Sequence, residues 1–179
     1  MKLYGVNNNP VDADEHGRVL ARAIVSAASA DAAARGKLYS ITSAYTTGQA
    51  DDAIIYLKND SQEDIEIDSV VSGTAVSGGF TINAVTGTAG GASAVTPVNM
   101  NLGSTLLPEV TATGGAEVTG LTLGGVLGKR RILANYSEEL RIKGRIILAP
   151  NTAIAVSNSA TGACECVIYF HTNSLENRD

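Results

Sequence analysis

Asp64-Ile-Glu-Ile-Asp-Ser-Val-Val71 decides the fold class. Ile65 and Ile67 alternate with Glu66 and Asp68, the period-two pattern of a strand with one face in a core and the other in water. Runs of the same kind flank it: Ala53-Ile-Ile-Tyr-Leu-Lys58 and Lys37-Leu-Tyr-Ser-Ile-Thr-Ser-Ala-Tyr45 before, Gly79-Phe-Thr-Ile-Asn83 after. Further on come Glu117-Val-Thr-Gly-Leu-Thr-Leu123, Leu140-Arg-Ile-Lys-Gly-Arg-Ile-Ile-Leu148, Ala153-Ile-Ala-Val-Ser157 and Cys164-Glu-Cys-Val-Ile-Tyr-Phe170. Short strands recurring with Gly, Ser and Thr spacers predict an all-β chain, an antiparallel β-sandwich of jelly-roll type over residues 37–172. The expected core is Ile55, Leu57, Ile65, Ile67, Ile82, Leu121, Leu123, Ile142, Ile146, Ile154, Val156 and Ile168.

Two Gly-rich stretches interrupt the pattern and read as loops. One is Thr86-Gly-Thr-Ala-Gly-Gly-Ala-Ser-Ala-Val-Thr-Pro97, and the other runs from Gly114 to Gly128 beside a strand. In Val98-Asn-Met-Asn-Leu-Gly-Ser104 the asparagines Asn99 and Asn101 are placed to lock the backbone through side-chain hydrogen bonds.

Ahead of the sandwich, residues 1–36 form an extended arm and one short Ala-rich helix. Pro10 holds Asn9 out of α geometry, and Asn7-Asn-Asn-Pro10 favours an extended or turning path. Ser26-Ala-Ala-Ser-Ala-Asp-Ala-Ala-Ala-Arg35 is a helix, with Ser26 as N-cap, Arg35 complementing the C-terminal dipole and Gly36 as the left-handed stop. The arm has no core of its own yet carries Leu3, Tyr4, Val19, Leu20, Ile24 and Val25. Those six are the expected partner-binding residues, because an apolar strip without a core must be covered by a neighbour. Residues 173–179 form a polar tail.

Composition narrows the function classes. Hydrophobic residues make up 44 % of the 179, but aromatics only 4 %, so the core rests on Ile, Val, Leu and Ala. Small side chains bury little area each, which leaves stability to be gained by association. A formal net charge of -5 argues against a general nucleic-acid binder, since phosphate neutralisation needs a basic surface. Lys129-Arg130-Arg131 is the local exception and reads as a solvated loop or an ion-pairing patch against an acidic neighbouring subunit. No apolar run is long enough for a transmembrane helix, and the N-terminus lacks the apolar stretch of a secretory signal, so the expectation is synthesis in a cytosol and no membrane partner.

The chemistry-bearing motifs fail on inspection. Counted from Asp12, a calcium loop would have Gly17 at its sixth position but His16 at its fifth and Ala23 where the bidentate Glu belongs. Gly128-Lys129 is followed by Arg130, where a P-loop needs Ser or Thr. Cys164 and Cys166 share a strand face about 7 Å apart, too far for an unstrained disulfide, and with only His16 and His171 available they read as buried core thiols without metal. There is no GxSxG, and His171 follows the last strand, where chain ends face solvent. Asp64, Glu66 and Asp68 read as the water-facing side of a half-buried strand, and the chain has no Trp to build a sugar platform. No catalytic residue, cofactor or metal site is expected, and the chain does not read as an enzyme.

Several segments carry a resemblance: Asn9-Pro-Val-Asp-Ala-Asp-Glu-His-Gly-Arg-Val-Leu20, Gly36-Lys-Leu-Tyr-Ser-Ile41, Ile54-Ile-Tyr-Leu-Lys-Asn-Asp60, Gly87-Thr-Ala-Gly-Gly91, Thr96-Pro-Val-Asn-Met-Asn-Leu-Gly-Ser104 and the closing Ile168-Tyr-Phe170. In their order along most of the chain they resemble tailed-bacteriophage virion proteins of the decoration (cement), head-fibre or tail-accessory kind. The resemblance implies a non-enzymatic structural protein on the capsid exterior that binds and stabilises the major capsid protein, made in the bacterial cytoplasm. Extended arms and multiple copies turn small interfaces into stable attachment, and a homotrimer suits that task. The alternative on the same architecture is a tail or head-fibre module that binds a host receptor or carbohydrate, for which exposed loop aromatics would be the signal.

Overall fold

Period-two alternation produces strands that leave each sheet one apolar face, and the two apolar faces meet. The computed structural model describes residues 28–172. Its elements are α1 (Ala28–Ala34), β1 (Leu38–Thr47), β2 (Asp52–Asn59), β3 (Ile65–Thr74), β4 (Gly78–Gly90), β5 (Ser93–Ala94), β6 (Val98–Asn99), β7 (Val110–Gly114), β8 (Thr119–Ile132), β9 (Tyr136–Leu148), β10 (Ala153–Asn158) and β11 (Gly162–Thr172). One sheet has the order β6-β1-β11-β3-β9 and the other β5-β7-β2-β10-β4-β8, with antiparallel pairing throughout. Without the short strands β5 to β7 the orders are β1-β11-β3-β9 and β2-β10-β4-β8. Consecutive long strands therefore alternate between sheets except at β4 and β8, which pair with each other, the interleaving of a jelly roll, and the expected all-β sandwich is what the chain forms.

The core lies between the sheets and is built mostly from aliphatic side chains. Ile41, Ile54, Ile55, Leu57, Ile65, Ile67, Ile82, Ile132, Ile154 and Ile168 are fully buried, with the rings of Phe80, Phe170 and Tyr39 among them, Tyr39 5.6 Å from Phe170 between centroids. Of the residues expected there, Ile142 and Val156 are also buried, while Ile146 packs against the cluster half-buried. Leu121 instead joins a second, smaller cluster with Ala53, Tyr56, Val85, Val118 and Ala155. Leu123 is a correction: it is 51 % exposed. The cause is β8, which is a 14-residue strand where a Gly-rich loop was expected, at the outer edge of its sheet. Register shifts against β4 at three places break its alternation. The segment taken for a loop from Thr86 is likewise mostly ordered as the end of β4 and as β5. Gly87 (φ 103°) and Gly120 (φ 75°) allow this close approach, since a Cβ on Gly87 would lie 2.5 Å from the Gly120 carbonyl oxygen.

The helix ends as its sequence dictates. Gly36 takes a left-handed φ of 70°, and the amides of Gly36 and Lys37 donate to the carbonyls of Ala33 and Ala32, a Schellman stop. Arg35 Nε lies 2.9 Å from Asp31 Oδ2, one turn back. α1 packs against β1 and β11. Ser26 lies outside the described residues.

Two asparagines fix the loops that later form the surface. Asn59, fully buried, donates through Nδ2 to the carbonyls of Glu63 and Leu148, both at 2.7 Å, and its Oδ1 accepts from the Ser61 amide and hydroxyl. Asn99 Nδ2 donates to the carbonyls of Gly36 (2.8 Å) and Leu106 (3.0 Å), and its Oδ1 accepts from the Asn101 amide. The lock expected of the Asn99 and Asn101 pair is therefore present, and it ties the 99–106 segment to the end of α1.

Ile168→Ala should lower the unfolding free energy by about 2–5 kcal/mol, whereas Leu123→Ala should stay within about 0.5 kcal/mol of the parent. Urea unfolding of the two variants checks the burial assignment, and equal losses would contradict it.

Candidate attachment surfaces

The six expected partner-binding residues, Leu3, Tyr4, Val19, Leu20, Ile24 and Val25, all lie outside the described residues. What is described is the place where that segment joins the sandwich and the surface around it. α1 enters beside the 99–106 segment, held there by Asn99 to Gly36 and by Asn101 Nδ2 to the Ala34 carbonyl at 3.3 Å. Around this junction Val98, Met100, Leu102, Leu106 and Leu107 are exposed, Leu102 to 92 %. The 100–109 segment crosses one lateral side of the sandwich, from β6 at the edge of one sheet to β7 near the edge of the other. On that side Glu63 and Glu109 line a cleft with Tyr39, Leu107 and Pro108.

The opposite lateral side is formed by β8 and β9, the outer strand of each sheet, joined through Leu133 to Asn135. Leu123, Val126, Leu127, Leu133, Tyr136 and Ile147 are exposed on it. Lys129, Arg130 and Arg131 lie on β8 rather than in a loop. Arg130 pairs with Glu138 through Nη2 to Oε2 at 3.1 Å, and Arg141 pairs with Glu139 through Nε to Oε2 at 2.7 Å. The Arg141 guanidinium holds the Glu139 carboxyl below its ordinary range despite the opposing effect of burial. Opposite Asp68 alone on β3, residues 142–145 stand out of the β9 ladder, with Lys143 at a φ of 53°. Lys143 and Arg145 are exposed as a result.

On the outer face of the β1-β11-β3-β9 sheet a groove of about 630 Å³ is floored by Leu38, Val71 and Tyr169 and bordered by Asp68, Arg141 and Lys143. Beside it lies His171, a second correction. Far from facing solvent, it belongs to β11, is 3 % exposed, and sits between two carboxylates. Its Nδ1 is 2.9 Å from Asp68 Oδ2 and its Nε2 3.5 Å from Glu66 Oε2. Glu66 and Asp68 are thus turned to a histidine as well as to water. Asp68 is the one extra residue of β3 against β11, lying between the pairs Ile67–Phe170 and Ser69–Tyr169. Nothing in the sequence signals the trio, because the partners lie 103 positions apart along the chain.

Cys164 and Cys166 point into the core, as expected, and are not disulfide-bonded. Burial pushes both thiols up, Cys166 well beyond the ordinary cysteine range. A thiol so held is not a nucleophile at neutral pH. No group of three or more His, Cys, Asp or Glu suited to a metal occurs among the described residues. No described helix is long and apolar enough to cross a membrane. No family model, curated protein or solved structure matches the chain.

His171 supplies a pH test. Burial disfavours its charge, but the hydrogen bond to Asp68 and the charges of Asp68 and Glu66 outweigh this and raise its pKa above 6.5. Because the folded value exceeds the unfolded one, the stabilisation is complete below 6.5 and is lost as pH rises through the folded value. The wild-type melting temperature should therefore fall across that window more than that of His171→Asn. Parallel profiles would show that His171 is not charged in the fold.

Proposed function

We propose that this chain is a non-enzymatic virion structural protein of a tailed bacteriophage: a cement or decoration protein on the capsid exterior that binds the major capsid protein and stabilises its lattice. The observation that carries the reading is the distribution of exposed apolar side chains. Among the described residues, eleven of the twelve exposed large hydrophobic side chains lie either on the 98–107 segment or along β8–β9, with Val76 as the exception. Isolated surface leucines are ordinary, but apolar side chains gathered on two sides of a small sandwich mark association surfaces. A jelly roll with two such sides is suited to tiling among repeated neighbours.

Attachment runs through residues 1–36. Leu3, Tyr4, Val19, Leu20, Ile24 and Val25 precede a helix that joins the sandwich beside Met100 and Leu102, so an arm lying on a capsid subunit would extend an apolar surface already present at its root. Copies gather as a trimer about a threefold axis, and each arm then adds to the attachment of the others through effective concentration. Neither nucleic acid, membrane nor cofactor takes part in this reading.

Deleting residues 1–36 should leave a folded β-domain, judged by its circular dichroism, that no longer binds virions lacking the full-length protein. Full occupancy by the truncated chain would place the contact on the sandwich itself. Quantitative mass spectrometry of purified virions should find hundreds of copies. A handful of copies, or binding on a glycan array, would replace the cement reading with that of a tail or head-fibre receptor module.

A further inference from the structure

The charges of the two apolar sides are of opposite sign. β8 and β9 with their turn hold Lys129, Arg130, Arg131, Arg141, Lys143 and Arg145, six of the chain's 13 basic residues, against two acids, Glu138 and Glu139. That segment is therefore +4 in a chain of -5, and everything else sums to -9. Since Arg130 and Arg141 are neutralised by the two glutamates, the charge offered outward on this side is that of Lys129, Arg131, Lys143 and Arg145. One of these flanks the apolar residues directly: Arg145 lines a cleft with Leu127, Ile146 and Ile147, while Lys143, two residues before it on β9, borders the groove on the outer sheet face.

Across the sandwich the pattern is inverted. The cleft holding Glu63, Leu107, Pro108 and Glu109 has no Lys or Arg in its lining. Its geometry is fixed from below: Asn59 binds the Glu63 carbonyl, and the Asp60 amide donates to the Glu109 carbonyl at 3.1 Å. Both carboxylates are thus carried on tied backbone beside exposed Leu106 and Leu107.

We propose that the β8–β9 side of one copy docks on the 106–109 and Glu63 side of a second copy, with Lys143 and Arg145 facing Glu63 and Glu109 around a centre made of Leu127 and Ile147 against Leu106 and Leu107. The occupant is a second copy of this chain because one molecule carries both halves: an apolar patch with cations and an apolar patch with carboxylates. Nucleic acid would be served by cations without leucines, and it would leave the acidic side unexplained. The two patches are different surfaces of the molecule, so the contact is heterologous, and successive copies close into a ring when the rotation permits. Apolar side chains would carry the affinity and the charges would fix partner and orientation. This deepens the self-association within the virion reading but needs no capsid, and its test uses the isolated full-length chain.

Sedimentation velocity should show the wild type as a discrete oligomer. Lys143→Glu with Arg145→Glu should weaken association about tenfold or more, and so should Glu63→Lys with Glu109→Lys. The chain carrying all four substitutions should recover to within a few-fold of wild type, which neither misfolding nor general charge effects would produce. Leu107→Gln should weaken association without altering the circular dichroism. A wild type that stays monomeric at about 100 μM, a concentration that reveals contacts of micromolar strength, overturns the proposal. So does a four-substitution chain that fails to recover, or association that is lost on removing residues 1–27 while the charge swaps are silent.

Discussion

Everything in this molecule depends on burying the inner faces of two sheets that carry few aromatic side chains. Among the described residues the rings of the main core are Phe80, Phe170 and Tyr39, and the rest of the interior is filled chiefly by isoleucine, leucine and valine drawn from the long strands of both sheets. Such side chains must interlock at close range, so strand order is not free. Apart from the β4–β8 pair, the jelly-roll interleaving sends successive long strands to opposite sheets, so hydrophobic runs far apart along the chain contribute to the same interior. Aromatic scarcity has a second consequence. Each residue removes less surface from water than a ring would, and the apolar residues left outside are the natural reserve of further stability.

Polar groups inside the sandwich do a different job. Asn59 is buried and fully engaged, and it binds together the end of β2, the 60–64 loop and the end of β9. Asn99 does the same for the end of α1 and the 99–106 segment. The loop anchored by Asn59 is a surface of fixed shape, because that side chain cannot move without leaving a buried donor unpaired, while half-exposed Asn99 holds its segment through three bonds nearer the solvent. The acidic side of the molecule owes its shape to these two residues rather than to the glutamates it displays.

The strands that alternate cleanly were legible in the sequence. Ile65 and Ile67, Ile154 and Val156, and Ile168 occupy the interior because period two leaves them no other place, and the helix stop at Gly36 follows from glycine's access to positive φ. Leu123 was not legible, because β8 slips its register against β4 and a one-residue slip moves a side chain to the other face. The expected run Glu117–Leu123 is a strand from Thr119 on, but its continuation through Gly124 to Ile132 was hidden for a related reason: glycine has no side chain with which to mark a face. His171 was invisible because its two carboxylates reach it only through sheet pairing and a single displaced residue on β3. Charge segregation was half legible, since the basic run at Lys129 stands out, but its company on β9 depends on the β8–β9 connection. The six apolar residues of the arm lie outside the described residues.

The irregular ladder of β8 also bears on what the protein avoids. As the last strand of its sheet, β8 has one row of backbone amides and carbonyls unpaired among the described residues, and a straight edge of 14 residues would invite any extended chain to add itself as the next strand. Its displaced residues put those groups out of step with a regular partner, while Lys129 and Arg131 place charge along the same edge. Such an edge is a poor template for an endless sheet, and under the proposed decoration role recognition between copies would be left to side chains, which can saturate.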